Sequence, residues 1–184
     1  MIEKQIDTKR IYEGKVVNLR VDKADVGGME VTREVVEHPG GVAILALNDD
    51  GKVMCVRQYR YGQQKEMLEL PAGKLERKED PFETGKRELQ EETGYKANHW
   101  TFLGEFVPTG AYLEEKIWMY YATELTYVGQ HFDEDEFIEA EMYTLDELTD
   151  MILNKEIIDG KTIAMVLKVK LMLEKDLLPL PSKK

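Results

Sequence analysis

The chain has 184 residues, 42% of them hydrophobic and 33% charged, the proportions of one soluble globular domain able to bury its own core. Its net charge of −11 argues against broad nucleic-acid binding, which needs a basic surface. The N-terminal segment lacks the apolar stretch of a secretion signal and no apolar run reaches membrane-spanning length, so the expected address is the cytoplasm, with no membrane partner.

Residues 15–26 and 29–38 read as strands around Gly27-Gly28, a hairpin-turn signal. After Pro39-Gly40-Gly41, residues 42–48 (VAILALN) form a buried-strand candidate, and Asn48-Asp49-Asp50-Gly51 turns the chain into a strand over 52–61. Cys55 lies inside that strand and reads as a small buried apolar residue rather than a nucleophile; as the single cysteine it permits no disulfide within one chain. Residues 67–73 (MLELPAG) read as one short strand. A helix is expected from about 80 to 93, with Pro81 in its first turn and Gly94 as its stop. Gly85 in its middle costs roughly 1 kcal/mol against Ala, which a close helix-to-sheet approach would explain. Residues 100–107, 115–125 and 136–143 are strand-like. Thr144-Leu145-Asp146-Glu147 is a capping-box signature opening an amphipathic helix, and a last helix is expected over about 160–175, followed by a frayed tail, LPLPSKK. The three histidines, His38, His99 and His131, show no zinc-ligand spacing. Strands on both sides of a central helix, with two helices at the end, imply an α/β or α+β sandwich.

The chemistry concentrates in residues 73–95, GKLERKEDPFETGKRELQEETGY. Glu88, Glu91 and Glu92 are spaced three and four apart, which stacks them on one face within about one helical turn. An acidic run alone reads as a solvated face. Like charges so close destabilise an isolated helix, however, and the economical use for them is to hold a hard divalent cation such as Mg2+. The frame is strict: Gly73, five residues, Glu79, seven residues, Arg87-Glu88, Leu89, Gln90, Glu91-Glu92, Thr93, Gly94, Tyr95. This segment resembles the Nudix box, departing only at Tyr95, where Ile, Leu or Val is common.

The resemblance implies an α/β/α sandwich with mixed sheets, an N-terminal strand hairpin, and hydrolysis of a nucleoside diphosphate linked to another moiety. It implies Mg2+ (or Mn2+) held by Glu88, Glu91, Glu92 and the backbone carbonyl of Ala72, with Arg87 and Glu79 as a supporting pair. Arg57-Gln58-Tyr59-Arg60 followed by LELPAGKLE narrows the likeness to the ADP-ribose (ADP-sugar) pyrophosphatase branch, and this likeness extends over nearly the whole chain. In that branch the arginine matching Arg60 contacts substrate phosphate; Arg57 and Arg33 are further candidates, and Glu115 with Glu114 follows the specificity loop. A glutamate on the acidic segment 133–138 serves as base in relatives, a role carried to Glu134, with Glu136 approaching a metal. The branch also implies a homodimer formed through the N-terminal strands. The expected organisation is thus a single domain over 1–184, with dimer-forming strands over 1–40 and a catalytic core over 41–178.

One loop departs from the branch. Val107-Pro108-Thr109-Gly110-Ala111-Tyr112 places Gly110 where a signature proline belongs, with Pro108 two residues early. The expected reaction is hydrolysis of ADP-ribose or a related nucleoside diphosphate sugar to AMP (or another nucleoside monophosphate) and a sugar phosphate. The alternatives are another Nudix substrate, such as GDP-mannose or an oxidised nucleotide, and a non-catalytic nucleotide-sugar-binding regulator. Sensors of this fold tend to lose box residues, which this chain keeps.

Overall fold

The computed structural model describes residues 2–76, 78–130 and 138–181. The chain divides into two compact units, one made of Met1–Gly40 with Val107–Lys116, the other of Gly41–Phe106 with Ile117–Lys184.

The first unit is a three-stranded antiparallel meander of β1 (Lys4–Glu13), β2 (Asn18–Val26) and β3 (Met29–Glu37). Gly27 and Gly28 take φ of 63° and 93° between the paired Val26 and Met29, the two positive-φ residues that a tight hairpin loop demands. β1 did not show in the sequence pattern, because KQIDTKRIYE mixes polar and apolar residues on both faces; the strand is exposed along its whole length. The segment Val107–Lys116, which carries Gly110, joins β3: the Val36 amide donates to Tyr112 O at 2.7 Å and the Glu114 amide to Val36 O at 2.9 Å. Arg20 fastens it there, reaching Asp22 at 3.0 Å, Glu37 at 2.7 Å and Glu114 at 2.7 Å.

The second unit is built around β4 (Gly41–Ala46), whose six residues are all buried. Both faces are buried because strand alternation feeds two cores. Val42, Ile44 and Ala46 pack in a cluster with Leu89 of the box helix and with Phe82. Ala43 and Leu45, with Leu47 just beyond the strand, pack with Leu148, Met165, Val166 and Val169 of the last two helices. Helices thus lie on both sides, the α/β/α arrangement expected. β5 (Lys52–Arg60) pairs with β6 (Lys65–Glu69) in a small sheet of order β10–β5–β6, where β10 is Glu139–Thr144. The other sheet runs β7–β4–β9–β8, with β7 Ala72–Lys74, β8 Tyr95–Phe106 and β9 Ile117–Tyr127; β4 and β9 are parallel and the other pairs antiparallel, so it is mixed. Cys55 is fully buried, and burial pushes its thiol up to about 12, as the apolar reading requires.

Two expectations are corrected. Residues 67–73 are not one strand: β6 ends at Glu69 in one sheet and β7 begins at Ala72 in the other. The chain changes sheets at Leu70-Pro71, where Pro71 has no N–H for a ladder and offers only its carbonyl, which the Ile44 amide engages at 2.9 Å. The start of the tail is also anchored: Leu178 is buried in the core and the Tyr121 hydroxyl donates to Pro179 O at 2.8 Å, while residues 182–184 lie outside the described residues.

The helices follow their caps. α1 (Pro81–Thr93) begins with Asp80 accepting from the amides of Phe82 and Glu83, and ends at Gly94 with φ 77°. α2 (Leu145–Leu153) carries the complete capping box of Thr144 and Glu147, and α3 (Gly160–Glu174) is capped by Asp159. Among the described residues no helix is long and apolar enough to cross a membrane.

Gly85 sits in α1 where a Cβ would stand 3.6 Å from Tyr120, 3.8 Å from Trp100 and 3.9 Å from Ile44, ordinary van der Waals contacts. The helix does approach the sheet closely, yet a methyl fits. Gly85→Ala should therefore stabilise the protein by about 1 kcal/mol, raising the calorimetric Tm by roughly 2–4 °C; an unchanged or lower Tm would show that the backbone cannot accept it.

Candidate active site

β7 and α1 bring the box residues together. Gly73 pairs with Val42, and Glu88 of α1 lies directly over it: a Cβ on Gly73 would stand 1.8 Å from the Glu88 Cδ. No residue with a side chain fits there while Glu88 keeps its place. Glu92, 3% exposed, turns inward and accepts the Ala72 amide at 2.9 Å, so the helix and the strand start are joined through a buried carboxylate.

Arg87 stands among the other carboxylates. Its Nε and Nη2 donate to Glu79 at 3.1 and 3.2 Å, and its Nη1 lies 2.9 Å from Glu88 and 2.7 Å from Glu91. Glu79 sits just ahead of the Asp80 cap and also accepts the Glu76 amide at 3.1 Å. The Arg87 guanidinium, followed by the Glu76 amide, holds the Glu79 carboxyl down at about 2.

The expected substrate arginines separate. Alternation sends Arg57 and Arg60 to opposite faces of β5, and they have different partners. Arg57 reaches Glu141 at 2.6 Å, where Tyr143 also donates to the same carboxylate. Arg60 grips Glu69 with Nε at 2.7 Å and Nη2 at 2.8 Å. Arg33 and Glu115 belong to the first unit, Arg33 paired with Glu3 at 2.8 Å and Glu115 lying 3.3 Å from His38. Glu134 and Glu136 lie outside the described residues.

Sequence reasoning missed Glu69, which is 1% exposed, and its second cation, Lys161 of α3. The signal was present: a carboxylate between Leu68 and Leu70 in an apolar run has to be paired once buried.

The NUDIX domain profile matches residues 37–166, a span that contains the whole glutamate-bearing frame. The chain belongs to the Nudix family. It is 41% identical over 167 residues to a methanol dehydrogenase activator of Bacillus methanolicus (89% of this chain, 90% of the relative). It is 39% identical over 163 residues to an ADP-ribose pyrophosphatase of Bacillus subtilis (87% and 88%). A crystal structure of an ADP compounds hydrolase superimposes with a TM-score of 0.83 over 97% of this chain and 98% of that one; at 18% identity the likeness is one of fold. The protein is a Nudix pyrophosphohydrolase.

Nudix hydrolases generally use divalent metals. The donors on the Nudix helix are carboxylates, oxygen ligands that suit hard cations. Among the described residues, no three His, Cys, Asp or Glu side chains are already gathered around one point. The contacts give the physical reason: Arg87 draws Glu88 and Glu91 to itself, while Glu92 is engaged by Ala72. The Gly73 cradle gives Glu88 room and the donors are all carboxylate oxygens, so the residues suit a hard cation in their chemistry, with Arg87 as the group it would have to displace from Glu88 and Glu91.

The Glu79–Arg87 pair makes stability depend on pH with a definite sign. A carboxyl lowered from 4.5 to about 2 on folding stabilises fully above 4.5, and that contribution disappears as pH falls toward 2. Glu79→Gln should cost about 1–3 kcal/mol at pH 7. In urea unfolding followed by circular dichroism, the gap between wild type and variant should shrink from pH 5 to pH 3; a constant gap would show that the charge of Glu79 is not what stabilises the loop.

Proposed function

We propose that this Nudix protein hydrolyses the pyrophosphate bond of ADP-ribose or a related nucleoside diphosphate sugar, with Mg2+ or Mn2+, releasing AMP or another nucleoside monophosphate and a sugar phosphate. The observation that carries the reading is the buried Glu92 on the Ala72 amide inside an intact Nudix frame. The similarity to the Bacillus subtilis ADP-ribose pyrophosphatase supports the substrate class.

In this reading Glu88, Glu91, Glu92 and the Ala72 carbonyl hold the metal, joined by Glu136. When bound, the metal supplies positive charge at the pyrophosphate oxygens and lowers the pKa of water. Glu134 takes the proton of the attacking water. Arg60 binds phosphate oxygens and is fixed for it by its bidentate grip on Glu69; Arg57, Arg33 and Glu115 are further substrate contacts. Arg87 and Glu79 brace the loop before the helix. The overall charge of −11 repels a polyanionic substrate, so the local cations have to overcome it. We further propose a homodimer through the N-terminal strands, supported by the exposed β1 and its exposed Ile6, Ile11 and Tyr12. A reducing, cytoplasmic setting suits the single buried thiol of Cys55.

The likeness to a methanol dehydrogenase activator favours a second reading, in which the protein activates a dehydrogenase.

A panel of ADP-ribose, ADP-mannose, GDP-mannose, NADH and 8-oxo-dGTP with Mg2+, read by product identity, separates the substrates. Release of AMP and ribose phosphate from ADP-ribose is expected. Glu92→Gln should lower kcat by roughly 10²-fold or more, and Glu134→Gln by about 10²–10⁴-fold. No metal-dependent nucleoside monophosphate from any substrate, with stimulation of an alcohol dehydrogenase in the same preparation, would favour the second reading. A collapse with Glu136→Gln but not Glu134→Gln would exchange those two roles.

A further inference from the structure

We infer that Lys161 is a positioning residue for substrate binding: it shares the buried Glu69 carboxylate with Arg60 and so fixes where the Arg60 guanidinium stands. The inference rests on the reading of Arg60 as a phosphate ligand.

The geometry starts from Glu69. Its Oε1 receives Arg60 Nε at 2.7 Å, and its Oε2 receives both Arg60 Nη2 at 2.8 Å and the Lys161 ammonium. Both oxygens are engaged by cations, so the carboxylate cannot rotate without breaking a charged contact. Burial alone pushes the Glu69 carboxyl up; Arg60 and Lys161 outweigh it, and the net direction is down. The carboxylate is therefore held charged, and the plane of the Arg60 guanidinium is set by it through two parallel bonds.

Lys161 is itself held. Asp159 lies 3.0 Å from its ammonium and caps α3, accepting the Thr162 amide at 2.9 Å and the Thr162 hydroxyl at 2.6 Å. The Thr162 oxygen in turn accepts the Leu70 amide at 3.0 Å. The first turn of α3 thus grips two successive residues, the side chain of Glu69 and the backbone of Leu70, immediately before the Pro71-Ala72 step. Arg60, Glu69 and Lys161 also line one cavity of about 510 Å³, flanked by Tyr61, Met67 and Ile158.

Charge counting separates positioning from direct binding. Arg60 and Lys161 are matched by Glu69 and Asp159, so the cluster is formally neutral. Lys161, with two carboxylate partners, adds little attraction for an anion of its own. What it adds is order: without it, Glu69 answers to Arg60 alone and the pair can shift together.

The test is a double-mutant cycle on ADP-ribose, measuring KM and kcat with Mg2+ and the dissociation constant by calorimetry in EDTA, with thermal midpoints as folding controls. Lys161→Met should raise KM and the metal-free dissociation constant roughly tenfold, with kcat changed much less, and Lys161→Arg should restore both. In the Arg60→Gln background, Lys161→Met should add nothing further. A Lys161→Met effect below twofold, or an equal factor in both backgrounds, overturns the inference while leaving Arg60 as a ligand. Arg60→Gln with unchanged KM and dissociation constant overturns the phosphate reading and this inference with it. If Lys161→Met does not fold, Lys161→Gln serves in its place, with the same expectations and the same overturning results.

Discussion

The site depends on one short crossing of the chain between two sheets, held at both ends by buried carboxylates. At Leu70-Pro71 the backbone leaves β6 and enters β7. Glu69 closes the near end against Arg60 and Lys161, and Glu92 closes the far end on the Ala72 amide. Neither carboxylate can be left unpaired at such burial without a penalty of several kcal/mol, so each defines a fixed distance. Between them, the Ile44 amide takes the Pro71 carbonyl and Thr162 takes the Leu70 amide. A proline with no donor is tolerated here because its own carbonyl and the amides on either side of it, those of Leu70 and Ala72, are engaged.

This arrangement explains why a cluster that should repel itself can exist. Glu88, Glu91 and Glu92 share a helix face, but the structure gives them different surroundings. Glu92 is buried on a backbone donor, Glu88 rests over a glycine that leaves it room, and Glu91 lies toward the surface with Arg87. Arg87 then links three carboxylates across the loop and the helix. One guanidinium with five donors can serve several acceptors in a way that an ammonium on a flexible stem cannot.

Much of this was legible in the sequence, and for physical reasons. Caps act locally, so Asp80, Pro81, Gly94, Thr144 and Glu147 announced their helices within a residue or so. The twin-glycine hairpin and the unbroken apolar run of β4 were similarly plain. What stayed hidden was non-local. β1 is recruited by pairing with β2, and nothing in its own polar-apolar order marks one face as inner. Residues 67–73 looked continuous because strand propensity ignores which partner a strand finds. The tail looked frayed because only the folded core shows where Leu178 goes. The partnership of Glu69 with Lys161 spans 92 positions, beyond any periodicity.

The division between local and distant signals also bears on where specificity resides. The Nudix frame is contiguous in sequence and needs only a helix, a strand and the turn between them to assemble. Arg60, by contrast, takes its orientation from Glu69, which is held by α3, an element that follows every described strand in chain order. The Gly110 segment is bound instead to the N-terminal sheet, through β3 and Arg20. Arg60 and Gly110 are each positioned by elements outside the box, so the same frame can accompany different substrates in different chains. Under the proposed reading of Arg60 as a phosphate ligand, the residues to compare between chains of different substrate preference are those that hold Arg60, first Glu69 and Lys161, rather than the box itself.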